Sequence, residues 1–188
     1  MPAIDPGRAE LDDTTLARAR RGERAACTRF VVFYEARVFA VIGRIAGPRT
    51  DRGRVEELAQ DAFVRALRAL PGFSPSGPAR LSTWLITIAT RVALNEVRRK
   101  APALASLDEV PEPAQARDEH ARLHQRDRLQ RAIEALTPQQ RAVFVLRDVH
   151  GFTETEAAQA LDLDVAAVKS RLFRARARLR KALGGDDD

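Results

Sequence analysis

Seven cations fall between Val165 and Leu183, namely Lys169, Arg171, Arg174, Arg176, Arg178, Arg180 and Lys181, with no acid before Asp186. At helical spacing Val165, Val168, Leu172, Leu179 and Leu183 go inward, which leaves the cations outside. The stretch ahead opens with Thr153 and Glu156 at capping-box spacing and keeps Ala157, Ala158 and Leu161 on one face. Asp162-Leu163-Asp164 breaks the pattern between them. Asp tolerates a left-handed turn residue, and Asp164 is a good N-cap for the basic helix. A short helix, a tight turn and a basic second helix make a helix-turn-helix, whose chemistry is the binding of a polyanion in a major groove. The competing reading is an ordinary helical hairpin with a solvated basic face. Caps, small crossing residues and one-sided charge together favour DNA.

Bond-making chemistry finds no matching residues. His120 and His124 are four apart, a spacing that can place two metal ligands on one helix face, but no nearby Cys supplies a third and His150 is remote. Cys27 is the single cysteine and sits among apolar residues, so it is expected to be a small buried hydrophobe, with no disulfide and no zinc cluster. No phosphate loop or Gly-rich dinucleotide turn is present, and no cofactor is expected. The sequence contains no catalytic constellation.

The elements that must position the cations are helical. The chain has 188 residues, 45% of them apolar but only 5% aromatic, with ten glycines and a net charge of +6. That composition points to an all-α protein with an aliphatic core and a polyanionic partner. The start, MPAIDPGRAELDD, has no basic stretch followed by an apolar run, and no segment reaches the length of a membrane span. The expected location is cytoplasmic.

In chain order, residues 1–12 are expected to be disordered. Asp13-Thr14 caps a short helix through Arg21, and Gly22 ends it. A longer helix from Glu23 to Ile45 carries Phe30, Phe33, Val38, Val41, Ile42 and Ile45 and stops at Gly47-Pro48. A charged loop over 49–54 precedes the amphipathic helix Val55–Leu70, with Val55, Leu58, Ala62, Phe63, Ala66, Leu67 and Leu70 inward. Pro71-Gly72 ends it, and Phe73–Arg80 is a loop rich in Ser, Pro and Gly. Ser82-Thr83 starts the helix Trp84–Lys100, apolar through Leu85, Ile88, Ala89, Val92, Ala93 and Val97, and polar through Arg91, Asn95, Arg98, Arg99 and Lys100. Residues 13–100 make a first helical domain. Residues 101–120 carry three prolines and five acids, a flexible acidic linker. Helical pattern returns near Ala121 with Leu123, Leu129, Ile133 and Leu136; Thr137-Pro138-Gln139-Gln140 starts the next helix, and Gly151 ends it. Residues 121–183 make a second domain ending in the helix-turn-helix, and 184–188 an acidic tail.

Two stretches, VEELAQDAFVRALRALPGF…LSTWLITIATRVALNEVRRK and LTPQQRAVFVLRDVHGFTETEAAQALDLDVAAVKSRLFRARARL, resemble the extracytoplasmic-function (ECF) sigma factors of bacterial RNA polymerase. The resemblance runs domain for domain over residues 13–183, with a short linker in place of a middle domain. It implies that the helix Val55–Leu70 docks on core polymerase, with Gln60, Asp61 and Phe63 as contacts. It implies that the loop Phe73–Arg80 and the next helix read the melted −10 element, through Phe73, Ser74, Arg80, Trp84, Arg91, Asn95, Arg98 and Arg99. It places the −35 contacts at Lys169, Ser170, Arg171, Phe173 and Arg174. The family often has Asn where this chain has Arg91, and Arg where it has Thr87. Promoter DNA, core polymerase and an anti-sigma protein covering amphipathic surfaces of both domains are the implied partners.

Two other classes of function stand beside this one. A stand-alone DNA-binding regulator would use the same helix-turn-helix, with the first domain as a ligand or dimer module. An enzyme would need a site that the sequence does not supply.

Overall fold

A computed structural model describes residues 9–48, 50–100 and 123–184, the side chains of 123–127 and 130 aside. The expected linker 101–120, the first eight residues, the tail from 185 and the His120–His124 pair lie outside this description. All regular elements among the described residues are helical: α1 (Asp13–Arg20), α2 (Arg24–Ala46), α3 (Arg52–Ala69), α4 (Leu81–Lys100), α5 (Leu123–Glu134), α6 (Pro138–Phe144), α7 (Glu154–Leu161) and α8 (Val165–Leu183). By backbone packing the chain divides into two units, 1–43 with 50–93, and 44–49 with 94–188.

In the first unit α2 supplies the spine. Phe30, Val38, Val41 and Ile42 are fully buried, as their spacing predicts. Phe33 is instead 38% exposed, and Tyr34 takes the inward position. A buried tyrosine needs a partner for its hydroxyl. Here the Tyr34 hydroxyl donates to a Glu10 carboxylate oxygen at 2.9 Å and accepts the Leu11 amide at 3.2 Å. Phe33 lies under the Arg37 guanidinium, 5.5 Å from the ring centroid. Leu11 is buried and Asp12 caps α1 by accepting the Thr15 amide at 2.8 Å, so residues 9–12 are ordered rather than disordered. The other early correction is at α3. Asp51 accepts the Arg54 amide at 2.8 Å, which turns the expected loop 49–54 into a cap and a first turn.

The second unit follows its caps closely. Thr137 and Gln140 close a reciprocal capping box on α6, and Thr153 and Glu156 close another on α7. Val168, Leu172, Ala175 and Leu179 form the buried row of α8, while Val165 and Leu183, expected inward, are 37% and 36% exposed at its ends. Leu129, also expected inward, is 41% exposed. A π-helical turn, Val145–Val149, follows α6, closed by the His150 amide on the Val145 carbonyl at 3.0 Å.

Arg141 holds the α5–α6 turn. Its guanidinium donates to the carbonyls of Ile133, Glu134 and Leu136 at 3.2, 2.9 and 2.9 Å, joining the Leu136 amide on the first and serving the other two at and just past the end of α5. Burial pulls its pKa below the usual arginine range, and Glu134 opposes the shift. Arg141→Met keeps the bulk but removes the donor shared by the Glu134 and Leu136 carbonyls. It should cost the turn at least about 2 kcal/mol of local stability. Amide exchange of α5 and α6 in the full chain measures this, and unchanged protection would refute the role.

Candidate nucleic-acid interfaces

The basic helix is aimed by its turn. Asp162 adopts the left-handed conformation at φ 57, ψ 52, and the Asp164 carboxylate accepts the Ala167 amide at 2.6 Å. With one face of α8 buried, Lys169, Ser170, Phe173 and Arg174 are exposed, Phe173 to 69%. Arg174 donates to the Ser170 hydroxyl at 3.0 Å, which stretches it along the helix surface. Arg171 is half-buried, and its Nη1 is enclosed without an acceptor among the described residues. The cations are therefore not equivalent. Lys169 pairs with Glu154 of α7 at 3.3 Å. Arg176 makes a two-pronged contact with Asp148 at 2.9 and 2.6 Å, which holds its pKa above the usual range, and Arg178 donates to Gln140 at 3.1 Å. Arg176 and Arg178 tie α8 to its own unit.

On α4, Trp84, Thr87, Arg91, Asn95 and Arg98 recur at spacings that keep one helical face. Arg91, Asn95 and Arg98 are exposed, and Trp84 and Thr87 are half-exposed. At 1.5 Å per residue the row is about 21 Å long. Thr87 spends its hydroxyl on the Thr83 carbonyl at 2.9 Å. Arg99 and Lys100 both pair with Glu96, each at 3.2 Å, so Arg99 is part of a local ion cluster. At the amino end Phe73 is buried and tilts against Trp84, with centroids 5.2 Å apart. Ser74 and Arg80 are exposed. The Gly77 amide bonds the Ser74 carbonyl at 3.0 Å, and a Cβ at Gly77 would stand 3.1 Å from that oxygen, so the tight turn wants glycine.

On α3 the outer face joins Gln60, exposed, and Asp61, half-exposed and paired with Arg65 at 2.8 Å. Phe63 is in the core, edge-on to Phe30 at 6.3 Å. The apolar side chain beside Gln60 and Asp61 is Val64, 45% exposed. Its signal was an apolar residue among outward positions of the helical pattern.

Residues 31–102 match the family described as Sigma-70 region 2, and residues 126–179 match Sigma-70, region 4. The RNA polymerase sigma-H factor of Pseudomonas aeruginosa is 31% identical over 194 residues, covering 93% of this chain and 94% of that protein. The ECF RNA polymerase sigma factor SigK of Mycolicibacterium vanbaalenii is 31% identical over 185 residues, covering 94% and 90%. The chain belongs to the ECF sigma factors. This sigma factor is also similar to CnrH, solved in complex with the cytosolic domain of CnrY, at 26% identity and a TM-score of 0.61 over 93% of this chain and 97% of that one. RpoE of Bartonella quintana, solved with the anti-sigma factor NepR, shares the fold at 21% identity and a TM-score of 0.62, covering 85% and 98%. As a sigma factor the protein recognises promoters for transcription initiation with core RNA polymerase. No helix among the described residues is long and apolar enough to cross a membrane.

Burial separates two phenylalanines of this sigma factor. Phe63→Ala should destabilise the first unit by about 3–5 kcal/mol. Phe173→Ala should change stability by no more than about 0.5 kcal/mol. Denaturant melts of the two variants test the contrast, which equal losses would contradict.

Proposed function

We propose a division of labour among the three faces. The α8 row Lys169, Ser170, Phe173 and Arg174, with Arg171 half-buried behind it, binds the −35 duplex in the major groove. Arg174 is suited to a guanine edge, Phe173 to a thymine methyl and Lys169 to phosphate. The observation that carries this reading is the capped turn, which leaves these side chains outward while Arg176 and Arg178 are tied back.

The α4 row from Trp84 to Arg98, with Ser74 and Arg80 at the loop and the buried Phe73 backing Trp84, holds the melted −10 strand. An aromatic platform beside a line of cations is the arrangement that single strands require. Arg99 contributes from within its ion cluster. The α3 face docks on core polymerase through Gln60 and Asp61, with Val64 as its apolar centre and Phe63 supporting from beneath.

The first domain, residues 13–100, carries the polymerase and −10 functions, and the second, 121–183, the −35 function. The protein does no bond chemistry and needs no cofactor. It acts in the cytoplasm, on the nucleoid when bound to polymerase, and an anti-sigma protein holds it inactive. The complexes of CnrH with CnrY and of RpoE with NepR support that partner.

In vitro transcription with bacterial core polymerase on a pool of promoter fragments tests the whole reading. Transcripts should appear only with the protein and share a two-part upstream motif. Tight binding of free DNA without transcripts would favour a stand-alone regulator. On the selected promoter, Arg174→Ala should cost about 1–3 kcal/mol and relax preference at one −35 position. Lys169→Ala, at the phosphate contact, should weaken all sequences alike and lower the salt slope by about one. Identical profiles for the two variants would refute the assignment.

A further inference from the structure

Helix α4 begins without a cap of its own. Its N-cap position is Arg80, whose side chain offers no acceptor. Ser82, expected to start the helix, is already inside its first turn, since α4 opens at Leu81 and the Trp84 amide bonds the Arg80 carbonyl at 3.0 Å. The missing acceptor comes from 72 residues away. Glu10 accepts the Ser82 amide at 3.1 Å and also the Ser82 hydroxyl. An N-cap side chain ordinarily serves the second or third helical amide, and Ser82 holds the second.

The same carboxylate accepts the Tyr34 hydroxyl of α2. A tyrosine hydroxyl is a donor at neutral pH, and burial, chiefly, raises the Tyr34 pKa further above the usual range. Glu10 is not needed merely to hold its own segment. Arg37 donates to the Ala9 carbonyl at 2.7 Å, the Leu11 amide bonds Tyr34, Leu11 is buried and Asp12 caps α1. Its separate task lies at α4, two residues before Trp84.

We propose that Glu10 is a positioning residue for promoter opening, acting through Ser82. It caps α4 from a distant segment and, by sharing its carboxylate with Tyr34, fixes the first turn of α4 and Trp84 against α2. The inference rests on the reading that α4 and the loop before it hold the melted −10 strand.

The test uses the full chain with Glu10→Ala or Glu10→Gln, assembled with core polymerase on its selected promoter. Opening is read by permanganate reactivity of the −10 thymines. The fluorescence of Trp84, the only tryptophan, reports the first turn in the free protein. Glu10→Ala should slow opening roughly fivefold, the scale of a lost cap, and shift Trp84 emission. It should leave core binding and −35 duplex affinity unchanged. Glu10→Gln keeps an acceptor for Ser82 and should recover most of the rate. Wild-type opening with an unchanged Trp84 spectrum would overturn the proposal. So would an equal loss of core binding and −35 affinity, which would mark a purely structural role. Arg91→Ala and Asn95→Ala separate the layers. If they leave opening intact, the α4 reading fails and the Glu10 role falls with it. If they impair opening while Glu10→Ala does not, only Glu10 is removed.

Discussion

Everything that α8 presents depends on three residues, Asp162 to Asp164. The left-handed Asp162 reverses the chain at once, with its own amide on the Ala158 carbonyl, and Asp164 satisfies the new helix start. A looser connection would let α8 rotate about its axis. Because its apolar row is narrow, a rotation of one residue would carry Val168 and Leu172 toward solvent and bring cations inward. The electrostatic cost of burying a guanidinium therefore reinforces the turn. The groove-facing row is set by the side chains that cannot turn in.

That part of the molecule was legible because its signals are local. Thr153 with Glu156, Thr137 with Gln140, and Asp164 each lie within four residues of the amides they satisfy. The fold class and the bounds of α7 and α8 follow from such pairs and from 3.6-residue periodicity. Asp51 was local too, but its apolar pattern starts only at Val55, so the first turn of α3 was hidden in a charged stretch.

The features that stayed hidden depend on distance in sequence. The inward turn of Tyr34 in place of Phe33 requires Glu10 and Leu11, more than twenty residues away. The pairing of Arg176 with Asp148 and Arg178 with Gln140 likewise spans 28 and 38 residues. A run of cations looks uniform until such partners are placed. The candidate faces were located by resemblance and periodicity; the same periodicity turned Phe63 inward, and what it could not supply was the ring that Phe63 meets there, Phe30 of α2.

The π-helical turn at Val145–Val149 bears on how this unit tolerates change in length. A π turn is a helix that has absorbed one extra residue. Each α-helical residue advances the phase by about 100°. Deleting a single residue here would let the backbone relax into ordinary helix and rotate the next segment by roughly that angle. Asp148 would then swing away from Arg176, and Arg147, whose guanidinium bonds the Phe152 carbonyl, would lose its place at the turn into α7. Substitutions along this stretch alter one side chain at a time, whereas a single-codon deletion reindexes the whole approach to the helix-turn-helix. Descendants of this sequence should keep the residue count at 145–149 even where the exposed Val149 changes type.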